Sequence, residues 1–186
     1  MDLLNAVNEI LPKLGEHPVT SLDSKSPTLG IIVPQITAEI DLLLQAGWWF
    51  NKFTNVDIFP NSEGGIDVPD DTLSFIPNWD SGNVVQRGEQ FYSGDTRSYI
   101  FTKKITGTLI QRLAFEDLPE SAARMCLYSA LVTCYVTDIG LEQTVQIWQQ
   151  YAQQAQANME QEHLRQRKYT IKDSPRYGRL RRAMRG

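Results

Sequence analysis

The sequence Gly47-Trp48-Trp49-Phe50-Asn51 divides the chain into two parts with different hydrophobic patterns. Before it, apolar residues recur at the three- and four-residue spacing of helices, and after it they alternate among turn residues. One aromatic side chain can bury on the order of 150–250 Å². We therefore predict that Trp48, Trp49 and Phe50 form structural core at the junction, with a ligand-stacking platform as the alternative.

Helical periodicity predicts four helices. The first is expected over residues 2–14, with Asp2 as its cap, and the second from Ser26-Pro27 to Gly47. Pro34 is expected to kink the second helix or to mark its true start. After the strands, helix returns from 118 to 139 and again from 141 to about 169.

Short alternating segments between the second and third helices predict β-strands. They are separated by turn residues such as Asn61, Gly64-Gly65 and Gly94-Asp95. The predicted strands lie at 53–58, 66–68, 73–76, 84–87, 90–92, 98–101 and 106–113.

The pattern predicts an α+β fold: mainly a helical bundle with an inserted small antiparallel β-sheet or sandwich. The helical body is expected to comprise residues 1–50 and 116–172, and the β insertion residues 51–115. Residues 173–186 are predicted to form a basic, flexible C-terminal tail, because clustered arginines with few apolar residues do not support a core.

Composition narrows the classes of protein to consider. Apolar residues make up 41% of the 186-residue chain, and we find no leader pattern and no run of about 18 apolar residues that would span a bilayer. We expect a soluble protein without a membrane partner. Cys126 and Cys134 are expected to be reduced core residues, and with only two histidines a metal site or cofactor is not predicted.

The net charge of −4 hides an uneven distribution. The segment from residue 165 onward has a charge of +8, which leaves −12 for the rest of the chain. Its only acid is Asp173, and its nine basic residues are Arg165, Arg167, Lys168, Lys172, Arg176, Arg179, Arg181, Arg182 and Arg185. Such asymmetry predicts a partner for the tail.

The last predicted helix carries a narrow apolar stripe in a field of glutamines. A neighbouring copy in a ring could cover this stripe, or the helix could lie exposed on a monomer, and amphipathicity does not choose between them. The residues predicted for the ring interface are Val145, Trp148, Ala152, Ala155 and Met159.

An enzyme is the competing class of function. Asp67, Asp70 and Asp71 lie around Pro69 in a predicted turn, and paired carboxylates can cleave glycosides. Trp79 could stack on a sugar in such a site. Neighbouring acids in a proline turn are also ordinary turn formers, and no nucleophile or phosphate-loop motif is present. We therefore predict no catalysis, with polysaccharide hydrolysis or carbohydrate binding as the alternative.

Six segments in fixed order resemble the tail tubular protein A family, the head-to-tail adaptors of short-tailed bacteriophages. They are Leu4-Asn5-Ala6-Val7-Asn8-Glu9-Ile10-Leu11, Leu14-Gly15-Glu16-His17-Pro18-Val19, Gly47-Trp48-Trp49-Phe50-Asn51, Ile66-Asp67-Val68-Pro69, Arg87-Gly88 with Phe91-Tyr92, and Phe115-Glu116-Asp117-Leu118-Pro119.

The resemblance implies a structural virion protein that is made in the host bacterial cytoplasm. It implies a ring, usually of twelve copies, beneath the portal of the phage head. Such a ring extends the channel for double-stranded DNA, without sequence-specific binding, and contacts the nozzle, tail tubular protein B.

Given this resemblance, we expect the tail to dock on the portal. Arginines can bind carboxylates or backbone carbonyls of a partner groove, although contact with DNA phosphates and a solvated, mobile end are alternatives. The residues predicted for portal binding are Arg176, Tyr177, Arg179, Leu180, Arg181, Arg182 and Arg185.

Overall fold

The computed structural model describes residues 1–23 and 26–167, and this part of the chain contains four α-helices and five β-strands. The helices are α1 (Leu3–Ile10), α2 (Leu29–Leu44), α3 (Glu120–Asp138) and α4 (Gln143–Gln166). The strands are β1 (Lys52–Ile58), β2 (Thr72–Pro77), β3 (Val84–Arg87), β4 (Gln90–Ser93) and β5 (Ile105–Gln111). All five strands lie between α2 and α3, so the predicted α+β class is confirmed.

The start of the chain folds as its sequence predicts. The Asp2 carboxylate accepts a hydrogen bond from the backbone N–H of Asn5 at 2.7 Å, which caps α1. The chain continues as a tighter 3₁₀ turn, Leu11–Leu14, and Gly15 ends it in the left-handed conformation at φ +81°.

Helix α2 begins later than predicted and passes through its proline. Thr28, rather than Ser26, occupies the N-cap position, and the Thr28 hydroxyl donates to the Glu16 carboxylate instead of capping the helix. Pro34 lies in the second turn of α2, so it does not mark the true start. One missing hydrogen bond near a helix start is tolerated because the apolar face of α2 is buried.

The strands form two small antiparallel sheets. Strand β5 lies in the centre of one sheet, paired with β1 on one side and β2 on the other, and β3 and β4 form a separate hairpin. The strands predicted at 66–68 and 98–101 were wrong, because these segments form only isolated bridges. Arg97, at φ +53°, lies in the turn that reverses the chain between Ser93 and Ser98.

Two separate clusters of buried side chains form in this fold. The helical core joins α1, α2 and α3 with Met159 of α4, and the partly buried Trp48, Trp49 and Phe50 pack against it. A smaller cluster lies within the β insertion and consists of Ile66, Phe75, Val84, Phe91, Ile105 and Leu109.

Helix α3 is the central helix of the body. It packs against α2 on one side and α4 on the other, which explains why its apolar residues lie on most of its faces. Cys126 and Cys134 are buried and free, as predicted. Burial raises the pKa of the Cys126 thiol to about 12, so this thiol stays protonated at neutral pH.

Candidate assembly surfaces

The three aromatic residues that follow α2 pack against the helical core. The Trp48 indole N–H donates to the Leu43 carbonyl at 2.8 Å, and the Trp49 ring meets the Phe50 ring edge to face at 4.9 Å. All three rings are half-buried against the helical core. Their geometry at the end of α2 is that of structural packing, because each ring lies on the chain's own residues.

Asn51 joins three segments at this junction. Its side chain is completely buried. The carboxamide oxygen accepts the Trp48 backbone N–H at 2.8 Å, and the amide nitrogen donates to the carbonyls of Leu44 and Gln111 at 2.9 and 3.0 Å. One side chain thus fixes the end of α2, the aromatic turn and the end of β5 relative to one another.

His163 of α4 completes the junction. Its ring centroid lies 5.2 Å from that of Trp48 and 5.8 Å from that of Trp49. The sequence analysis did not single out this residue. The available signal was spacing, because Ala155, Met159 and His163 follow one another at intervals of four residues, so His163 extends the stripe of the two buried residues.

The surroundings of His163 favour its neutral form. Burial lowers the pKa of His163, and the positive charges of Arg167 and Lys52 lower it further. Its Nδ1 atom is buried and, among the described residues, has no hydrogen-bond partner. A histidine whose folded-state pKa is lowered stabilises the fold above its ordinary pKa of about 6.5, and this stabilisation is lost as the pH falls through the folded-state value.

We predict that acidification weakens the fold through His163. Between about pH 7.5 and 5.5, the free energy of unfolding should fall more in the unaltered protein than in His163→Gln, because glutamine does not take up a proton in this range. Urea unfolding at both pH values measures the difference. The exposed His17 provides the matched control, and His17→Gln should keep the pH dependence of the unaltered protein. Equal pH dependence in the unaltered protein and His163→Gln would contradict the prediction.

The apolar stripe of α4 is largely covered by the chain itself. Val145, Ala155 and Met159 are buried inside the described part of the chain, where each is at most 6% exposed. The physical reason is that α3 packs along α4 and takes up the stripe. Trp148 and Ala152 are half-buried, and for these two a role in a ring interface stays a prediction.

Other apolar side chains of the described residues are exposed in two regions. On the helical body they include Leu141, 83% exposed at the turn between α3 and α4. The body residues are Ile31, Leu42, Ile139, Leu141, Ile147, Tyr151 and Leu164. Within the β insertion, Trp79 is 95% exposed, and the full set is Phe53, Phe59, Ile76, Trp79, Val85, Tyr99 and Ile100.

The alternative catalytic site is the acidic turn that contains Asp67, Asp70 and Asp71, and one of these carboxylates binds neighbouring side chains. The Asp67 carboxylate accepts hydrogen bonds from the side-chain amides of Asn61 and Gln90 at 3.2 and 3.0 Å. Asp70 and Asp71 are exposed, and among the described residues no hydrogen bond joins any two of these three carboxylates.

Two further classes of site have no support in the part of the chain that the structure describes. No group of histidine, cysteine or acidic side chains there could hold a metal ion. Within residues 1–23 and 26–167, none of the helices has the length and hydropathy needed to cross a bilayer. The seven residues predicted for portal binding, Arg176 to Arg185, lie outside the described residues.

Comparison with known proteins gives two matches that run along almost the whole chain. Residues 4–169 match the model of the family described as Tail tubular protein. Tail tubular protein A of Klebsiella phage KP34 is 26% identical over 180 residues, which cover 97% of this chain and 96% of that protein. The family match includes all four helices and the β insertion, so it applies to the fold as a whole.

Proposed function

Because the chain belongs to the tail tubular protein family and is thus a structural component of a phage tail, we propose that it is the adaptor between portal and nozzle. The observation that carries this proposal is the match over residues 4–169, which includes both the helical body and the β insertion. In this role the protein extends the DNA channel from the portal of the head to the tail nozzle, tail tubular protein B.

The adaptor forms a ring of identical copies, and we propose that the ring contains twelve. A ring requires a head-to-tail interface in which two different surfaces of the same chain meet. We assign the ring contacts to the helical body, where the half-buried Trp148 and Ala152 adjoin the exposed Ile147 and Tyr151 on α4. The exposed apolar side chains of the β insertion meet a neighbouring copy or the nozzle.

The charge of the body suits a channel through which DNA must slide. Residues 1–164 carry 21 acidic and nine basic side chains. An acidic wall repels the phosphate backbone, so DNA passes without being held and without recognition of its sequence. The role that we propose is structural and includes no catalytic step.

The C-terminal tail docks on the portal in this proposal. Its arginines can form charge-assisted hydrogen bonds to carboxylates or carbonyls in a groove between portal subunits. Arg176, Arg179, Arg181, Arg182 and Arg185 supply the guanidinium groups, and Tyr177 and Leu180 supply apolar contact.

Removing residues 173–186 is expected to abolish portal binding while leaving the protein folded, because both buried clusters lie within residues 1–167. Loss of several charge-assisted hydrogen bonds should weaken binding by at least roughly 100-fold. Co-sedimentation with the purified portal measures binding, and circular dichroism verifies folding. A full-length variant with the tail residues in shuffled order keeps charge and length as the control. Portal binding that survives the deletion contradicts tail docking.

A further inference from the structure

A long groove follows the junction between the helical body and the β insertion. Two adjoining clefts of about 640 and 620 Å³ form it, and they share Asp71 and Arg112. The first cleft lies between α2 and the segment that follows β5, and the second lies beside the turn that joins β3 to β4. We refer to the two clefts together as the junction groove.

The junction groove is strongly acidic. Seven carboxylates line it against one cation, Arg112, whose guanidinium already binds the Asp41 carboxylate through two hydrogen bonds of 2.9 and 3.0 Å. Among the described residues, no hydrogen bond or ion pair engages the carboxylates of Asp70, Asp71, Glu89 or Asp117. Like charges held this close repel one another, so a cationic occupant would relieve the repulsion.

The floor of the first cleft is apolar. Ile40 and Phe115 are buried there, and Leu3, Leu113 and Ala114 complete its lining. A ligand that fits the whole groove therefore combines several cations with apolar side chains. A simple polycation such as a run of lysines would leave the apolar floor uncovered.

The chain itself contains a segment of this composition. Between residues 168 and 186 it carries seven basic residues against the single acid Asp173, with Ile171, Tyr177, Leu180 and Met184 interspersed. The net charge of the segment, +6, equals in magnitude the net charge of −6 on the side chains that line the groove. The segment thus matches the junction groove both in charge and in apolar content.

The described end of α4 is connected to the groove through a short series of contacts. His163 packs on Trp48, whose indole binds Leu43 in α2, one half-turn beyond the groove residue Asp41. Asn51, in the same turn, accepts a hydrogen bond from the N–H of Gln111, which lines the groove. Nineteen residues can extend about 65 Å at most, so the segment reaches the groove of its own chain easily.

We propose that the junction groove holds the chain's own arginine-rich segment, residues 168–186, while the protein is free in solution. Tethering gives the segment an effective concentration in the millimolar range, so even a weak interaction is sufficient for occupancy. Docking in the groove is a property of the free chain, and so it can hold or fail independently of portal binding.

The test is photocross-linking of the full-length protein without portal. A benzoylphenylalanine at position 180, in place of Leu180, is irradiated, and the cross-linked peptides are identified by mass spectrometry. The expected product has the mass of one chain, and its cross-link lies on Leu113, Phe115 or their neighbours in the groove. A cross-link mainly to other surfaces, or a product of two chains, would overturn the proposal.

A matched pair of variants tests the charge of the groove. The first triple variant removes three acids of the groove: Asp70→Asn, Asp71→Asn and Glu89→Gln. It should lower the cross-link yield about tenfold, because three exposed charge pairs are lost. The second triple variant, the control, removes three exposed acids outside the groove: Glu63→Gln, Asp80→Asn and Asp138→Asn. Its cross-link yield should stay within about twofold of that of the unaltered chain, since long-range charge is screened. Sodium chloride at about 1 M should reproduce the loss in the unaltered chain. Equal yields from the two triple variants would refute the proposal.

Discussion

Replacing Asn51 by alanine is expected to lower the free energy of unfolding by about 2–5 kcal/mol, because buried polar groups lose their partners. The Trp48 N–H and the Gln111 carbonyl both bond to the Asn51 carboxamide, which lies at the meeting point of α2, the aromatic turn and β5. The Leu44 carbonyl loses one of its two donors but keeps the N–H of Gly47. Urea unfolding followed by tryptophan fluorescence measures the loss.

The control for this prediction is Asn78→Ala. Asn78 lies near the end of β2, and its side chain makes one exposed hydrogen bond of 3.3 Å to Asn55. Its removal should change the free energy of unfolding by no more than about 0.5 kcal/mol. If Asn51→Ala costs less than about 1 kcal/mol, then the carboxamide does not hold the junction together.

Replacing Phe91 by alanine is expected to cost about 3–5 kcal/mol, as for other large aromatic residues in cores. Phe91 is 1% exposed in the cluster of the β insertion, and its ring lies 5.0 Å from that of Phe75. This cluster contains only six buried side chains, so neighbouring residues can collapse into the space only in part. Chemical unfolding should show a midpoint at clearly lower urea concentration.

Val85→Ala is the matched control for Phe91→Ala because both residues lie in the β3–β4 hairpin. Val85 is 46% exposed, pairs with Tyr92 and is not part of the buried cluster. We expect a change within about 0.5 kcal/mol, as for other exposed positions. A loss for Phe91→Ala that is no larger than the loss for Val85→Ala would mean that the cluster does not stabilise the β insertion.

The helices could be predicted from sequence because their signals are local. The Asp2 cap and the stop at Gly15 depend on residues within one or two helical turns. The apolar faces of α1 and α2 likewise repeat at a spacing that the sequence shows directly. For these elements, local propensity and tertiary packing favour the same structure.

The irregular parts of the β insertion could not be predicted in the same way. The segments 66–68 and 98–101 alternate like strands, but a strand also needs a partner in register. Segment 66–68 has one isolated bridge, from Asp67 to Gln90, and segment 98–101 has two, from Ser98 to Ser93 and from Ile100 to Gly65. Pairing depends on residues far apart in sequence, which periodicity does not report.

The contacts of the candidate surfaces could not be predicted from the sequence for the same reason. The stripe of α4 is readily seen in the sequence, yet the sequence does not say whether α3 or a second copy covers it, and Val145, Ala155 and Met159 are buried within the chain. The contact of His163 with Trp48 and Trp49 joins residues more than 100 positions apart. The family was recognised from the order of several segments, and the match over residues 4–169 confirms it.

Light scattering tests the adaptor proposal most directly. It measures the mass of the protein alone and the mass of the protein mixed with the portal of its virus. We expect about a dozen copies to join each portal, since a closed head-to-tail ring fixes the copy number. The complex should also fail to form when residues 173–186 are absent. A protein that remains unbound in the presence of the portal would contradict the adaptor role, although the chain would still belong to the tail tubular protein family.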